Sequence, residues 1–379
     1  MIYFDFNATS PLHEAVLEAM VPYYRNFYGN PSSLHRIGRI SRDAVEAARI
    51  QVAGLASASA SQVVFTSGGT EANSLAICGL ADVLPPGQIL VSPIEHSSVL
   101  EPLKALSETG WTVRFMELTD GGRVCERFLE SAIDPETRFA VCMIANNETG
   151  VIQDIQRIAE QFRDLGIPLH CDGVQAFGKI AIDFSASRFS FMSVSAHKIG
   201  GPKGVGALVF DKSVRLEPLL KGGGQEKGLR GGTENVAGIV GFGVAAEIAQ
   251  RNLGENANHL FRLRQRLEQG LKKLPSITIF CKQEKRLPNT VMFGVGGMDG
   301  EMVVMELDRK GIAVSSGSAC SSQDTEPSHV LLAMRVDREV ARSAVRVSLG
   351  STSTETEVDQ FLVVLQNLVS GAHQKASGY

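Results

Sequence analysis

Lys198 follows an apolar run, residues 189–194, and opens a glycine-rich loop, Ile199-Gly200-Gly201-Pro202-Lys203-Gly204. The run reads as a buried strand that delivers Ser195, His197 and Lys198 into the loop. A lysine desolvated at such a strand end has a lowered pKa and an amine able to attack a carbonyl, the usual route to a Schiff-base nucleophile. Ser195 and His197 add hydrogen-bonding groups, and the glycines let a ligand approach the backbone. Read alone, Lys198 is equally a solvated loop lysine, because a short motif is only a hypothesis.

A second stretch offers an anion site. The β-branched and aromatic run 63–66 reads as a strand, and Ser67-Gly68-Gly69-Thr70-Glu71-Ala72-Asn73 then opens a helical segment through residue 80. Exposed N–H groups and the helix dipole at such a turn attract an anion, and Thr70 adds a hydroxyl. The stretch carries neither GxGxxG nor GK[ST], so it is neither a dinucleotide fingerprint nor a P-loop. The plain alternative is a simple βα turn.

His96, in Glu95-His96-Ser97, is either a neighbour of a helix cap with a satisfied ring or an aromatic plate with acid/base capacity. Asp172 ends a short strand and reads as a turn aspartate or as a charge aimed into a site. Period two puts His170 and Asp172 on one face and Cys171 on the other, in the core. Of the six cysteines, Cys78 and Cys142 also lie in apolar stretches, while Cys125 and Cys281 are undecided. Cys320 differs, since serine, glycine and alanine surround it. Such a segment is flexible and suits a thiol that moves between pocket and surface; the alternative is an incidental exposed cysteine.

The elements that position these residues alternate. Strands are expected at 63–66, 88–92, 112–117, 139–145, 168–172 and 189–194, separated by helices at 41–56, 97–108 and 154–165. A first helix is expected from a Ser10 cap and Pro11 at its first position. This βα order means a mostly parallel sheet covered by helices on both faces. Ligands in such sheets sit at the carboxyl ends of the strands, and Ser67, Asn147, Asp172 and Ser195 all fall there. Further on come a helical bridge at 236–274, short strands at 290–295 and 344–348, and helices at 301–310 and 355–369. Thr354 and Glu357 form a capping box for the last helix.

With 379 residues, two domains are expected: 11–255 as a large domain, and 1–10 with 256–379 as a smaller α+β domain. A 44% hydrophobic and 21% charged composition describes a soluble globular chain. A net charge of -4 gives no basic footprint for direct nucleic-acid binding. The first residues, Met-Ile-Tyr-Phe-Asp, lack a signal-peptide pattern, and no apolar run reaches membrane-spanning length. The cysteines show neither a disulfide framework nor a metal spacing, so a cytoplasmic protein without a metal site is expected.

A phosphate turn, a strand-end aspartate, a plate-like histidine and a buried lysine together describe a pocket for pyridoxal 5'-phosphate, in which the aspartate keeps the pyridine nitrogen protonated. The chain resembles the class V aminotransferase-like cysteine desulfurases of the NifS and IscS type. The resemblance rests on stretches in order along nearly the whole chain. They are Asn7-Ala8-Thr9, Gly29-Asn30-Pro31-Ser32-Ser33, Thr66 to Asn73, Glu95-His96, Asn146-Asn147-Glu148-Thr149-Gly150 and Asp172-Gly173-Val174-Gln175. Then follow Ser195-Ala196-His197-Lys198, Arg230-Gly231-Gly232-Thr233-Glu234-Asn235, Ser315 to Cys320, Glu326-Pro327-Ser328-His329-Val330-Leu331 and Arg346-Val347-Ser348-Leu349-Gly350.

The resemblance implies a role for each. Lys198 carries the cofactor, Asp172 pairs with the ring nitrogen and Gln175 with the phenolic oxygen. His96 stacks on the ring and shuttles protons. Gly69, Thr70, Ser195 and His197 hold the phosphate, with Thr233 reaching in from the other subunit of a homodimer. Asn7, Asn147 and Arg346 bind the substrate; the alternative for Arg346 is a surface ion pair. L-cysteine yields alanine and a persulfide on Cys320, which passes to a sulfur-acceptor protein. The acceptor stays open between iron-sulfur cluster assembly and nucleic-acid thiolation, because the tail 374–379 does not resemble the scaffold-docking tail of IscS proteins. A selenocysteine lyase, another class V enzyme or a sulfur carrier with a vestigial cofactor are the rival readings. Phe6 stands where many relatives carry a second asparagine.

Overall fold

The structure is a computed structural model that describes residues 1–317 and 326–376. Its central element is a seven-stranded sheet in the order Val63–Thr66, Gly206–Phe210, Phe191–Ser195, Leu169–Asp172, Thr137–Val141, Gln88–Val91, Thr112–Phe115. Only Gly206–Phe210 runs against the others. The remaining pairings are parallel. Most of these strands are buried throughout, which is why they read as unbroken apolar runs rather than alternating ones. A Cβ on Gly206 would lie 2.6 Å from the carbonyl carbon of Gly68. Only glycine lets the antiparallel strand pass so close to the turn that starts the Gly69–Ala81 helix.

A second, antiparallel sheet runs Ser315–Ser316, Ala344–Ser348, Thr290–Val295, Ile277–Ile279. The chain start joins it: Ile2–Tyr3 pairs with Ile312–Ala313, and Asp5 bridges to Ser348. Phe4 is fully buried in this second core with Phe293 and Phe361. The Val236–Leu271 helix, 36 residues or about 54 Å long, serves both cores. Ile239, Phe242 and Ala246 pack into the first core, and Leu260, Leu263, Leu267 and Leu271 into the second.

The first helix begins at Glu14 with His13 as its cap, not at Ser10 and Pro11. Ser10 is engaged elsewhere. Its hydroxyl donates to the His197 carbonyl at 2.7 Å and accepts from the Gly200 amide at 2.8 Å. The second helix starts at Arg36, five residues before the periodic pattern, because Gly38 breaks the signal. That glycine is needed, since a Cβ would meet the Ser33 carbonyl oxygen at 2.6 Å. The expected 139–145 strand ends at Val141, where the chain turns toward the site. The Thr354–Glu357 capping box forms as expected.

Candidate active site

Six strand ends of the large sheet point the same way, and the loops leaving five of them meet at one cavity of about 310 Å³. Its lining includes Asn7, Gly69, Thr70, His96, Asn147, Asp172, Gln175, Ser195, His197, Lys198 and Arg346. These residues span positions 7 to 346, and the topology alone brings them together.

After Ser195 the chain makes a single 3-10 turn, Ala196–Lys198, which carries Lys198 out of the sheet into partly buried space. Its Nζ donates to the backbone carbonyls of Asn7 at 2.5 Å and Ala8 at 2.7 Å. The chain start therefore holds the lysine. His197 faces Thr9 Oγ1 at 3.1 Å, and burial, with Lys198 and Lys203 nearby, pushes its imidazole pKa down to about 4. His197 is thus a neutral hydrogen-bonding group at ordinary pH.

Asp172 closes its strand with Oδ1 accepting from the Val174 amide and Oδ2 from Asn73 Nδ2, both at 2.9 Å. As period two requires, Cys171 is buried in the core behind it. His96 caps the Ser97–Ser107 helix, its Nδ1 accepting from the Ser98 amide at 3.1 Å. Burial lowers its pKa, helped by Lys198 and His329 and opposed by Asp172. At the start of the Gly69–Ala81 helix the first amides have no partner within the helix. Glu71 in that turn accepts from the Ser67 amide at 2.8 Å and pairs with Arg230 at 2.9 Å, and it does not line the cavity.

The family-model comparison matches the class V aminotransferase model over residues 2–361. The cysteine desulfurase IscS 1 of Archaeoglobus fulgidus is 42% identical over 371 residues, 97% of each chain. A solved NifS-like protein superposes with a TM-score of 0.92 at 38% identity, covering 97% of this chain and 99% of its own. A structure described as SspA in complex with cysteine gives a TM-score of 0.83 at 32% identity, covering 93% of this chain and all of its own. The chain belongs to the cysteine desulfurases of the class V aminotransferase family. It is therefore a pyridoxal-phosphate-dependent enzyme of the NifS and IscS type, and the mostly parallel sheet beside a smaller antiparallel one is that family's fold.

In this desulfurase Arg346 is almost fully buried. Nη2 pairs with Asp5 at 2.7 Å, Nη1 donates to the Asn147 carbonyl at 3.2 Å, and buried Nε has no partner among the described residues. The ion pair that sequence allows for Arg346 is thus with Asp5, inside the site rather than on the surface.

Asn7 differs from its expected part as a substrate ligand, because its side chain is already saturated. Nδ2 donates to the Asn147 carbonyl and Thr290 Oγ1; Oδ1 accepts from Lys179 Nζ and Asn289 Nδ2. An amide offers no further hydrogen-bonding capacity. Asn7 organises the cavity wall: its carbonyl receives Lys198 and Gln175, and its amide N–H donates to Ser348 Oγ.

Lys179 is the residue that sequence reasoning missed. It is buried beneath Gln175, with Nζ 2.7 Å from Gln175 Oε1 and 2.8 Å from Asn7 Oδ1. Burial pushes its pKa well below the usual lysine range, and Lys198 and Arg346 add to the effect. The available signal was its spacing of four from Gln175 within the turns of 173–180.

Thr233 does not line its own chain's cavity; it is exposed in the loop ahead of the Val236–Leu271 helix. That loop is anchored against the preceding bend, where the Gly231 amide bonds the Leu220 carbonyl at 2.9 Å. Glu226 and Lys227 adopt left-handed φ of 46° and 62° there, and the Glu226 carboxylate holds the bend by a fork to Arg49 at 2.7 and 2.8 Å. Cys320 lies outside the described residues.

Proposed function

We propose that the cavity binds pyridoxal phosphate and L-cysteine, and that the sulfur leaves as a persulfide on Cys320. The observation that carries the proposal is the convergence of Lys198, Asp172, His96 and Arg346 on one cavity large enough for a small cofactor. The donor set fits the cofactor. An amine stands at one place for its aldehyde, a carboxylate for its ring nitrogen, and helix-start amides with Ser195 and His197 for its phosphate. Bound there, pyridoxal phosphate supplies an electron sink for bonds at the substrate's Cα.

The chain's own residues do the rest. Asp172, fixed by Asn73 and Val174, favours a positive charge opposite it. Gln175, its oxygen held by Lys179, turns its amide N–H toward the Asn7 carbonyl and the cavity. Arg346 and Asn147 hold the substrate carboxylate, as their shared place on the cavity wall supports. The balance is simple: cysteine and a protein thiol give alanine and a protein persulfide, one sulfur changing owner.

The dimer is part of the proposal. Thr233 serves the partner's phosphate, as its exposure away from its own cavity supports. The exposed apolar side chains of Leu17 and Tyr24 on the first helix and Tyr28 and Leu34 in the loop after it, with Leu219 and Leu220 beside the Thr233 bend, support a covered face. We also assign 11–255 to the cofactor-binding domain and 1–10 with 256–379 to the smaller one, supported by the two separate cores. The recipient of the sulfur is a sulfur-acceptor partner, a scaffold or a carrier protein. Incubation with L-cysteine tests the reading: alanine forms and the intact protein gains one sulfur. A protein that is colourless after supply of the cofactor and makes no alanine overturns it.

A further inference from the structure

Asn73 and Ser98 have no assigned part in the site, yet they join its two chemical groups. The Ser98 backbone amide points at His96 Nδ1 at 3.1 Å. A backbone amide only donates, so Nδ1 must be the acceptor and the neutral ring carries its proton on Nε2. Ser98 Oγ lies 2.8 Å from the same Nδ1 and 2.9 Å from Asn73 Nδ2. The other proton of that amide group goes to Asp172 Oδ2 at 2.9 Å. Because Asn73 donates to the hydroxyl oxygen, the hydroxyl proton is left for His96.

The far end fixes the direction. Asn73 Oδ1 faces His170 Nε2 at 2.9 Å, so His170 donates there and its Nδ1 is bare. That Nδ1 is buried without a partner among the described residues, and burial pushes the His170 pKa to about 3. Each donor and acceptor thus has one consistent assignment, from His170 through Asn73 and Ser98 to His96.

We infer that Asn73 and Ser98 are positioning residues whose directional hydrogen-bond chain fixes His96 as the neutral Nε2–H tautomer and ties its ring to the Asp172 carboxylate. In the resting site His96 is a hydrogen-bond donor through Nε2. It becomes a proton acceptor only by turning Nδ1 away from Ser98. A second proton would meet the Ser98 amide and the positive end of the Ser97–Ser107 helix. Among the described residues, Asp172, Lys198 and His329 face the ring from other elements; the first favours a charged ring and the other two oppose it. What His96 does to substrate rests on the proposed function, but the tautomer does not.

The test is ring nitrogen NMR on the full-length protein as purified, with labelled histidine, His96 being assigned by its loss in His96→Gln. His96 should carry its proton on Nε2 and titrate below ordinary histidine. Ser98→Ala removes one donor to Nδ1 and should raise the midpoint by about 0.4–1 pH unit, the worth of one neutral hydrogen bond. Ser98→Thr keeps the hydroxyl and should restore it. Asn73→Ala should move His96 in the same direction as Ser98→Ala. A ring protonated on Nδ1, or a midpoint unmoved in Ser98→Ala, overturns the inference. A shift in Ser98→Ala but not in Asn73→Ala removes Asn73 from the chain and overturns the link to Asp172. A colourless, inactive protein with the predicted tautomer refutes the cofactor reading alone, and a yellow, alanine-forming protein with the opposite tautomer refutes this inference alone.

Discussion

The Lys179 Nζ lies 2.8 Å from Asn7 Oδ1, a contact across 172 residues that pins the chain start to the large sheet directly beneath the cavity. Among the described residues no carboxylate pairs with this amine, and its other acceptor is Gln175 Oε1. Lys179 therefore sits in the folded state with a pKa well below its unfolded one. Between those two values the unfolded chain binds the extra proton, so stability rises with pH, by up to about 1.4 kcal/mol per unit. Lys179→Met removes that slope. Denaturant melts from neutral to alkaline pH should show the wild type gaining on the variant as pH rises; parallel curves would refute the assignment. The variant also leaves the Gln175 oxygen without its lysine donor, costing about 1–3 kcal/mol, while Asn7 Oδ1 keeps Asn289.

Lys198, not Lys203, should hold the cofactor. Lys198 lines the cavity and is held by the Asn7 and Ala8 carbonyls, whereas Lys203 is exposed beyond Pro202. Borohydride reduction followed by peptide mapping should place the pyridoxyl label on Lys198. A label on Lys203 contradicts the site as described.

Much of this was legible because it is local. A strand end that delivers Ser195, His197 and Lys198 is visible as an apolar run followed by glycines. The parallel order is visible as alternation. What escaped is what depends on partners far along the chain. Ser10 looks like a helix cap, but tertiary contact with His197 and Gly200 takes its hydroxyl, and the cap passes to His13. Among the described residues histidines cap three helices, His13, His35 and His96, each through Nδ1, and cap rules that favour serine, threonine, asparagine and aspartate do not suggest them. Phe6 is likewise explained only by Gly350, whose missing side chain leaves room for the phenyl ring.

Arg346→Lys should raise KM for L-cysteine more than it lowers kcat, while the cofactor absorbance stays. Lysine keeps the charge but loses the planar guanidinium fork. Losing one charge-assisted hydrogen bond of about 1.5–3 kcal/mol corresponds to roughly a 10–150-fold drop in kcat/KM. An unchanged KM would move the substrate carboxylate elsewhere.

Sharing of the site across the dimer is testable by complementation. A heterodimer of a Lys198→Ala chain and a Thr233→Ala chain has one site with both defects and one with neither, if Thr233 serves the partner. Activity above both parents is the expected outcome, given that Thr233→Ala alone is impaired. Activity no higher than the parents, with the heterodimer verified by mass, places Thr233 in its own chain's function.

Cys320 carries the last step. A free thiol of ordinary pKa, about 8.5, is only a small fraction thiolate at neutral pH, so attack on sulfur needs a proton acceptor or a partner that stabilises the thiolate. His96 is the natural candidate from sequence, yet with its Nδ1 engaged by Ser98 it offers no ready lone pair. Lys198 is the other nearby amine on the cavity wall. Cys320→Ser should keep the yellow colour, since the residues that fit the cofactor are untouched, and should still change its spectrum on adding L-cysteine. It should gain no sulfur by intact mass, and alanine release should collapse. The buried Cys142 and Cys171 and the half-buried Cys281 are poor substitutes: burial pushes the first two well above the usual range and the third to about 11. A Cys320→Ser protein that still gains one sulfur and still releases alanine would place the acceptor on another cysteine, and peptide mapping of the added sulfur would identify which.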